Sequence, residues 1–93
     1  MNNASTIVYI VQMGDFDLYK VGITSPERMK DRLRVLQRGN PFKLKYIFTE
    51  YHGPEYTPMV ERILLRSLKP YQTDIKEWFF VSKDILNEFI KNI

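Results

Sequence analysis

Two short β-rich runs separated by four turn residues constrain this chain more than anything else in it. Thr6 to Met13 and Leu18 to Thr24 are dense in Ile, Val and Tyr, side chains that suit a pleated backbone. Between them lies Gly14-Asp15-Phe16-Asp17, where Gly and Asp tolerate the backbone angles of a reversal. The pair reads as a hairpin, and its register decides which side chains share a face, because strand side chains alternate sides. Tyr9 and Tyr19 fall on one face only if paired residue numbers sum to an even value. Pairing Gly14 with Leu18 meets that condition; pairing Met13 with Leu18 does not, unless a bulge intervenes.

The remaining text alternates helix and strand signals. Ser25-Pro26-Glu27 is a helix start: Ser caps free amides, Pro fits the first position and Glu complements the positive end. Met29, Leu33 and Leu36 recur at helical spacing, and Gly39-Asn40-Pro41 stops the run. Phe42 to Tyr51 reads as a third strand, with Leu44, Tyr46 and Phe48 alternating against Lys43, Lys45 and Ile47. Thr57-Pro58 repeats the cap-plus-proline signal, and the helix after it directs Val60, Ile63, Leu64 and Leu68 inward. Glu77 to Val81 reads as a short fourth strand, followed by a helix from Ser82 or Asp84 with Ile85, Leu86, Phe89 and Ile90 as its apolar face.

The predicted order is β-β-α-β-α-β-α. It implies an α+β fold: a small, mainly antiparallel sheet of three core strands plus a short fourth, flanked by helices. Ninety-three residues, 44% of them hydrophobic, suffice for one domain spanning 1–93 with a modest core. There is no cysteine, which excludes disulfides and thiolate metal sites. The start lacks the basic and apolar regions of a signal peptide, and no apolar run reaches the ~18 residues of a membrane span. The expectation is a cytoplasmic protein with no membrane partner.

Charge is unevenly placed. Residues 26–39 hold Arg28, Lys30, Arg32, Arg34 and Arg38 against Glu27 and Asp31, a local excess of +3 that equals the net charge of the chain. Lys43 and Lys45 follow directly. Such a patch suits a polyanion, although a solvated helix face would look the same. Arg32 lies at the edge of the Met29–Leu33–Leu36 stripe, where a guanidinium can grip two phosphate oxygens. Glu61 falls among Leu64, Leu65 and Leu68 on the apolar arc of its helix. A carboxylate there must be paired, protonated or coordinating, because burying it bare is costly.

Val8-Tyr9-Ile10 and Tyr19-Lys20-Val21-Gly22 resemble the two halves of the GIY-YIG nuclease signature. Arg32-Leu33, Leu36-Gln37, Gly39-Asn40-Pro41, Glu61 in a Val-Glu-Arg setting and Glu77-Trp78-Phe79 look like a small phage-type branch of that superfamily, which includes the meiotically up-regulated group. The likeness spans roughly residues 7–82. Val8 stands where the nominal signature has glycine-isoleucine, and Leu65 where many members of the branch carry histidine.

The resemblance implies a metal-dependent endonuclease that hydrolyses DNA phosphodiesters. It assigns Tyr9, Tyr19, Arg32 and Glu61 to catalysis, with Glu61 holding Mg²⁺ or Mn²⁺ and Glu77 as an accessory acid. Tyr9 would accept the proton of the attacking water, although a phenol with its ordinary pKa near ~10 is a poor base until a positive neighbour lowers it. Lys20 and Gly22 are accessory, the second because a residue without a side chain admits close approach. Arg28, Arg34, Arg38, Lys43 and Lys45 would attract the DNA backbone. The host would be a bacterial or phage-infected cell, and a homo-oligomer is compatible with the sequence. The rival reading is an inactive relative that binds nucleic acid or a host protein. The nuclease reading requires two phenols, a guanidinium and a carboxylate around one phosphate. Phenols on opposite sides of the sheet would remove it.

Overall fold

The computed structural model describes residues 5–75 and 77–93. Strand β1 (Ile7–Met13) and strand β2 (Leu18–Thr24) form the hairpin. A short 3₁₀ turn, Pro26–Arg28, leads into helix α1 (Met29–Gln37). Strand β3 (Leu44–Tyr51), helix α2 (Gly53–Leu68), a second 3₁₀ turn (Lys69–Tyr71), strand β4 (Phe79–Phe80) and helix α3 (Lys83–Lys91) follow. The α+β class and the order of strands and helices are those expected from the sequence.

The sheet runs β3-β1-β2-β4 with every pairing antiparallel. β1 is central, which is why Val8, Ile10 and Val11 are completely buried. On one face Val8, Ile10, Tyr19 and Val21 meet Val60, Leu64 and Leu68 of α2 and Leu86 of α3. On the other, Tyr9, Val11, Met13 and Leu44 pack with Trp78 beneath Leu33 and Leu36 of α1. Each fully buried aliphatic side chain in these layers contributes about 1.5–3 kcal/mol. β4 pairs only with Leu18 and Tyr19, so from Lys20 onward the outer edge of β2 has no strand neighbour among the described residues.

Four local expectations are corrected. The register between β1 and β3 slips between Ile10 and Val11, so Leu44 and Tyr46 face α1 while Phe48 sits opposite Ile10 on the other side. A bulge breaks strict alternation by inserting one residue, here Ile47, into one strand. α2 begins at Gly53, not at Thr57. Pro54 takes the early position that proline fits, and Pro58 is carried inside the helix. Ile63 is exposed, and Leu65 packs against the core in its place. β4 is only two residues long, because Glu77 has a left-handed backbone (φ 73°) that no strand can include. At the last helix Ser82 is the cap, its side chain accepting a hydrogen bond from the Ile85 amide.

Candidate active site

The hairpin register fixes the site. Tyr9 lies directly opposite Gly22. The Tyr9 ring is 97% covered, being only 3% exposed, and lies over the glycine. A Cβ placed on Gly22 would sit 2.9 Å from Tyr9 Cε2 and closer still to Cζ and the phenol oxygen. The missing side chain is therefore what lets the Tyr9 phenol reach across β2. Tyr46 meets the Tyr9 ring edge-on, 5.4 Å between centroids at 77°. Its own hydroxyl donates to the Met29 carbonyl oxygen at 2.6 Å and ties β3 to α1.

Tyr19 does not join Tyr9. Gln12 pairs with Tyr19 and Ile10 with Val21, an odd register that puts the two phenols on opposite faces. The bulge in the sheet lies between β1 and β3, outside the hairpin, and cannot restore them to one side. Tyr19 is fully buried under α2, and its hydroxyl donates to Asp17 Oδ1 at 3.2 Å in the hairpin loop. Burial first, and the bond to Asp17 second, push its pKa up to about 12. The convergence of two phenols on one phosphate, the condition on which the nuclease reading hung, is therefore absent, and Tyr19 leaves the candidate site. The residue two places before Gly22 on Tyr9's face is Lys20, which pairs with Val11 in the register. Lys20 is 9% exposed, and its ammonium forms an ion pair with the Glu77 carboxylate. Sequence spacing carried this signal: once Tyr9 faces Gly22, parity selects Lys20.

Arg32 and Glu61 reach the same place from different layers. Arg32, exposed on α1, stands close enough to Tyr9 and Tyr46 for its charge to pull both phenol pKa values down. Burial outweighs it at each ring, so both remain above the ordinary value. Glu61, half-buried on α2, has its carboxyl pKa raised by burial and partly drawn back by Lys20. It makes no hydrogen bond or ion pair with any described residue. Glu61 and Glu77 line one cavity of about 370 Å³. Val21, Leu65 and Phe79 give it apolar walls, and Lys69 and Gln72 stand at its edge. Tyr9, Lys20, Arg32, Glu61 and Glu77 thus form one electrostatically connected group.

The other basic residues stay outside it. Arg34 is paired with Asp31 at 2.9 Å and Lys45 with Asp15 at 3.5 Å, all largely solvated. Arg28 borders a shallow pocket with Arg32 and Val35. Lys43 and Arg34 edge an open groove with Leu33 and Leu44, and Arg38 is exposed where α1 ends. Glu77 was legible as an acid but not as a bend. Its left-handed backbone costs roughly 1–3 kcal/mol for a residue with a side chain. Among the described residues no three His, Cys, Asp or Glu side chains cluster as a metal cage. Two carboxylates facing one cavity still suit Mg²⁺, which keeps most of its water.

The raised phenols give a pH prediction. A folded protein that holds phenol protons more tightly than the unfolded chain gains stability that is complete below about pH 10 and lost as pH rises through the folded values. Ultraviolet difference titration should show Tyr9, Tyr19 and Tyr46 ionising above the ordinary phenol value. The highest step, near 12, should vanish in Tyr19→Phe.

No helix of the described structure is long and apolar enough to cross a membrane. No curated protein and no solved structure shows significant similarity to the chain. Residues 6–93 match the model of the T5orf172 domain, nearly the whole length, so the chain belongs to that family, a GIY-YIG-like domain of phage type.

Proposed function

We propose that this domain hydrolyses DNA phosphodiester bonds at the cluster of Tyr9, Lys20, Arg32 and Glu61, with a divalent cation. The observation that carries the proposal is Glu61: a half-buried carboxylate, without a hydrogen-bonding partner among the described residues, facing a cavity that Lys69 also lines, with Lys20 close enough to lower its carboxyl pKa. Glu61 and Glu77 would hold Mg²⁺ or Mn²⁺. Bound there, the ion would act as a Lewis acid on a phosphoryl oxygen.

The chain's own groups divide the remaining work. Hydrolysis adds water to phosphorus, breaks one P–O ester bond and returns a proton to the departing oxygen. Arg32 and Lys20 are the cations that meet the negative charge gathering on the phosphoryl oxygens. Tyr9 departs from the role expected of it. Its raised pKa keeps the phenol protonated at neutral pH, so in the ion-free protein it orients water or phosphate as a hydrogen-bond donor. The exposed Arg28, Arg34, Arg38, Lys43 and Lys45 would hold flanking phosphates, giving salt-dependent affinity with little sequence preference.

One observation favours a second reading, a binding module for a host protein. Tyr56, Met59 and Ile63 form an exposed apolar stripe along α2. A plasmid assay separates the two. Supercoiled DNA with Mg²⁺ or Mn²⁺ should be nicked by the wild type. Glu61→Ala and Tyr9→Phe, with unchanged circular dichroism, should each nick at least about 10²-fold more slowly. DNA binding with no nicking under either ion would overturn the enzyme, and neither binding nor nicking would leave the host-protein module.

A further inference from the structure

Resting on the nuclease reading, we infer that the cavity beside Glu61 is a subsite for one unpaired nucleobase next to the scissile phosphate, and that it prefers a base carrying an exocyclic amine. The cavity is larger than an ion requires. At about 10–15 Å³ of accessible space per water, the six waters around a cation need roughly 60–90 Å³, well under the 370 Å³ present. The remainder is not built for more water, because Val21 and Phe79 are buried apolar walls and Leu65 joins them from α2. Flat apolar walls with polar groups at the ends suit a planar heterocycle.

The polar groups specify its edge. Glu61 and Glu77 are acceptors, and an acidic side chain accepts from the amine of cytosine or its equivalent on adenine and guanine. Thymine offers one ring N–H between two carbonyl oxygens, which would face the carboxylates unfavourably. Gln72 can both donate and accept at the rim. Lys69, exposed at the end of α2, is placed for the phosphate of the neighbouring nucleotide. A base stacked inside a duplex cannot enter a pocket at the edge of β2. The preferred substrate is therefore single-stranded, frayed or mispaired DNA.

Fluorescence anisotropy with short dye-labelled oligonucleotides in EDTA reads binding without cleavage. Oligo-dC and oligo-dA should bind about tenfold more tightly than oligo-dT, and a fully paired duplex should lack this base-dependent advantage. Glu61→Gln, which replaces an acceptor with a group that also donates, should erase most of the preference. Leu65→Trp should fill the cavity and weaken single-strand binding, while Arg34→Ala lowers affinity for all sequences alike. Equal affinity for dC and dT, or a preference untouched by both cavity variants, would overturn the subsite. Base preference in a chain that never nicks plasmid would keep the subsite and sink the nuclease. Nicking without base preference would do the reverse.

Discussion

Lys20→Met should slow plasmid nicking by about 10²-fold or more, while Tyr19→Phe should leave it within about threefold. The contrast follows from one register. Lys20 faces the side of the sheet that holds Tyr9, beside Glu61 and Glu77. Its loss removes a nearly buried cation from the place where phosphoryl charge would build. Tyr19 lies beneath α2 with its hydroxyl committed to Asp17. Removing that hydroxyl deletes a single hydrogen bond, worth about 0.5–1.5 kcal/mol of stability, and touches nothing in the site. Nicking rates and thermal melts on the same preparations separate the effects. Lys20→Met should melt close to the wild type because Glu77 is two-thirds exposed and can be solvated, its side chain being 67% accessible. A Tyr19→Phe variant that folds but no longer cuts would reverse the assignment of the two residues.

The error over Tyr19 shows where sequence patterns stop. Element order, the antiparallel hairpin and the burial of Glu61 among leucines all rest on short-range periodicity, and each is present in the structure. Hairpin parity rests on how the turn closes, and a distant strand decides that here. Gly14, at φ 55°, gives its amide to the Lys43 carbonyl oxygen at 2.8 Å. It is therefore held by the start of β3 and is not free to pair with Leu18. Phe16 closes the loop by donating to Met13 at 3.1 Å, and four residues are left between the strands. No local signal in Gly14-Asp15-Phe16-Asp17 reports that demand from Lys43. The start of α2 was missed for a similar reason. Two prolines at Pro54 and Pro58 offer equivalent start signals, and Thr57 resolves the choice by donating its buried hydroxyl to the Gly53 carbonyl, which fixes the earlier turn.

Gly22→Ala should damage both fold and activity, and in a Tyr9→Ala background the same methyl should cost the fold little more while activity stays lost. A methyl group at residue 22 would overlap the Tyr9 phenol, whose ring is almost wholly covered. Overpacking of this kind costs about 1–3 kcal/mol. Tyr9→Ala alone empties a buried aromatic site and should cost about 3–5 kcal/mol. In the double variant the new methyl occupies space the ring has vacated, so the two losses should fall short of their sum by about 1–3 kcal/mol. Urea titration of the four proteins measures that coupling. Additive losses would mean that the ring does not rest on Gly22. Nicking must behave differently from stability. Gly22→Ala displaces the phenol, Tyr9→Ala deletes it, and the repacked double variant still lacks it, so all three should be equally slow. A double variant that regained cleavage would show that Tyr9 holds the sheet together and takes no part in the chemistry.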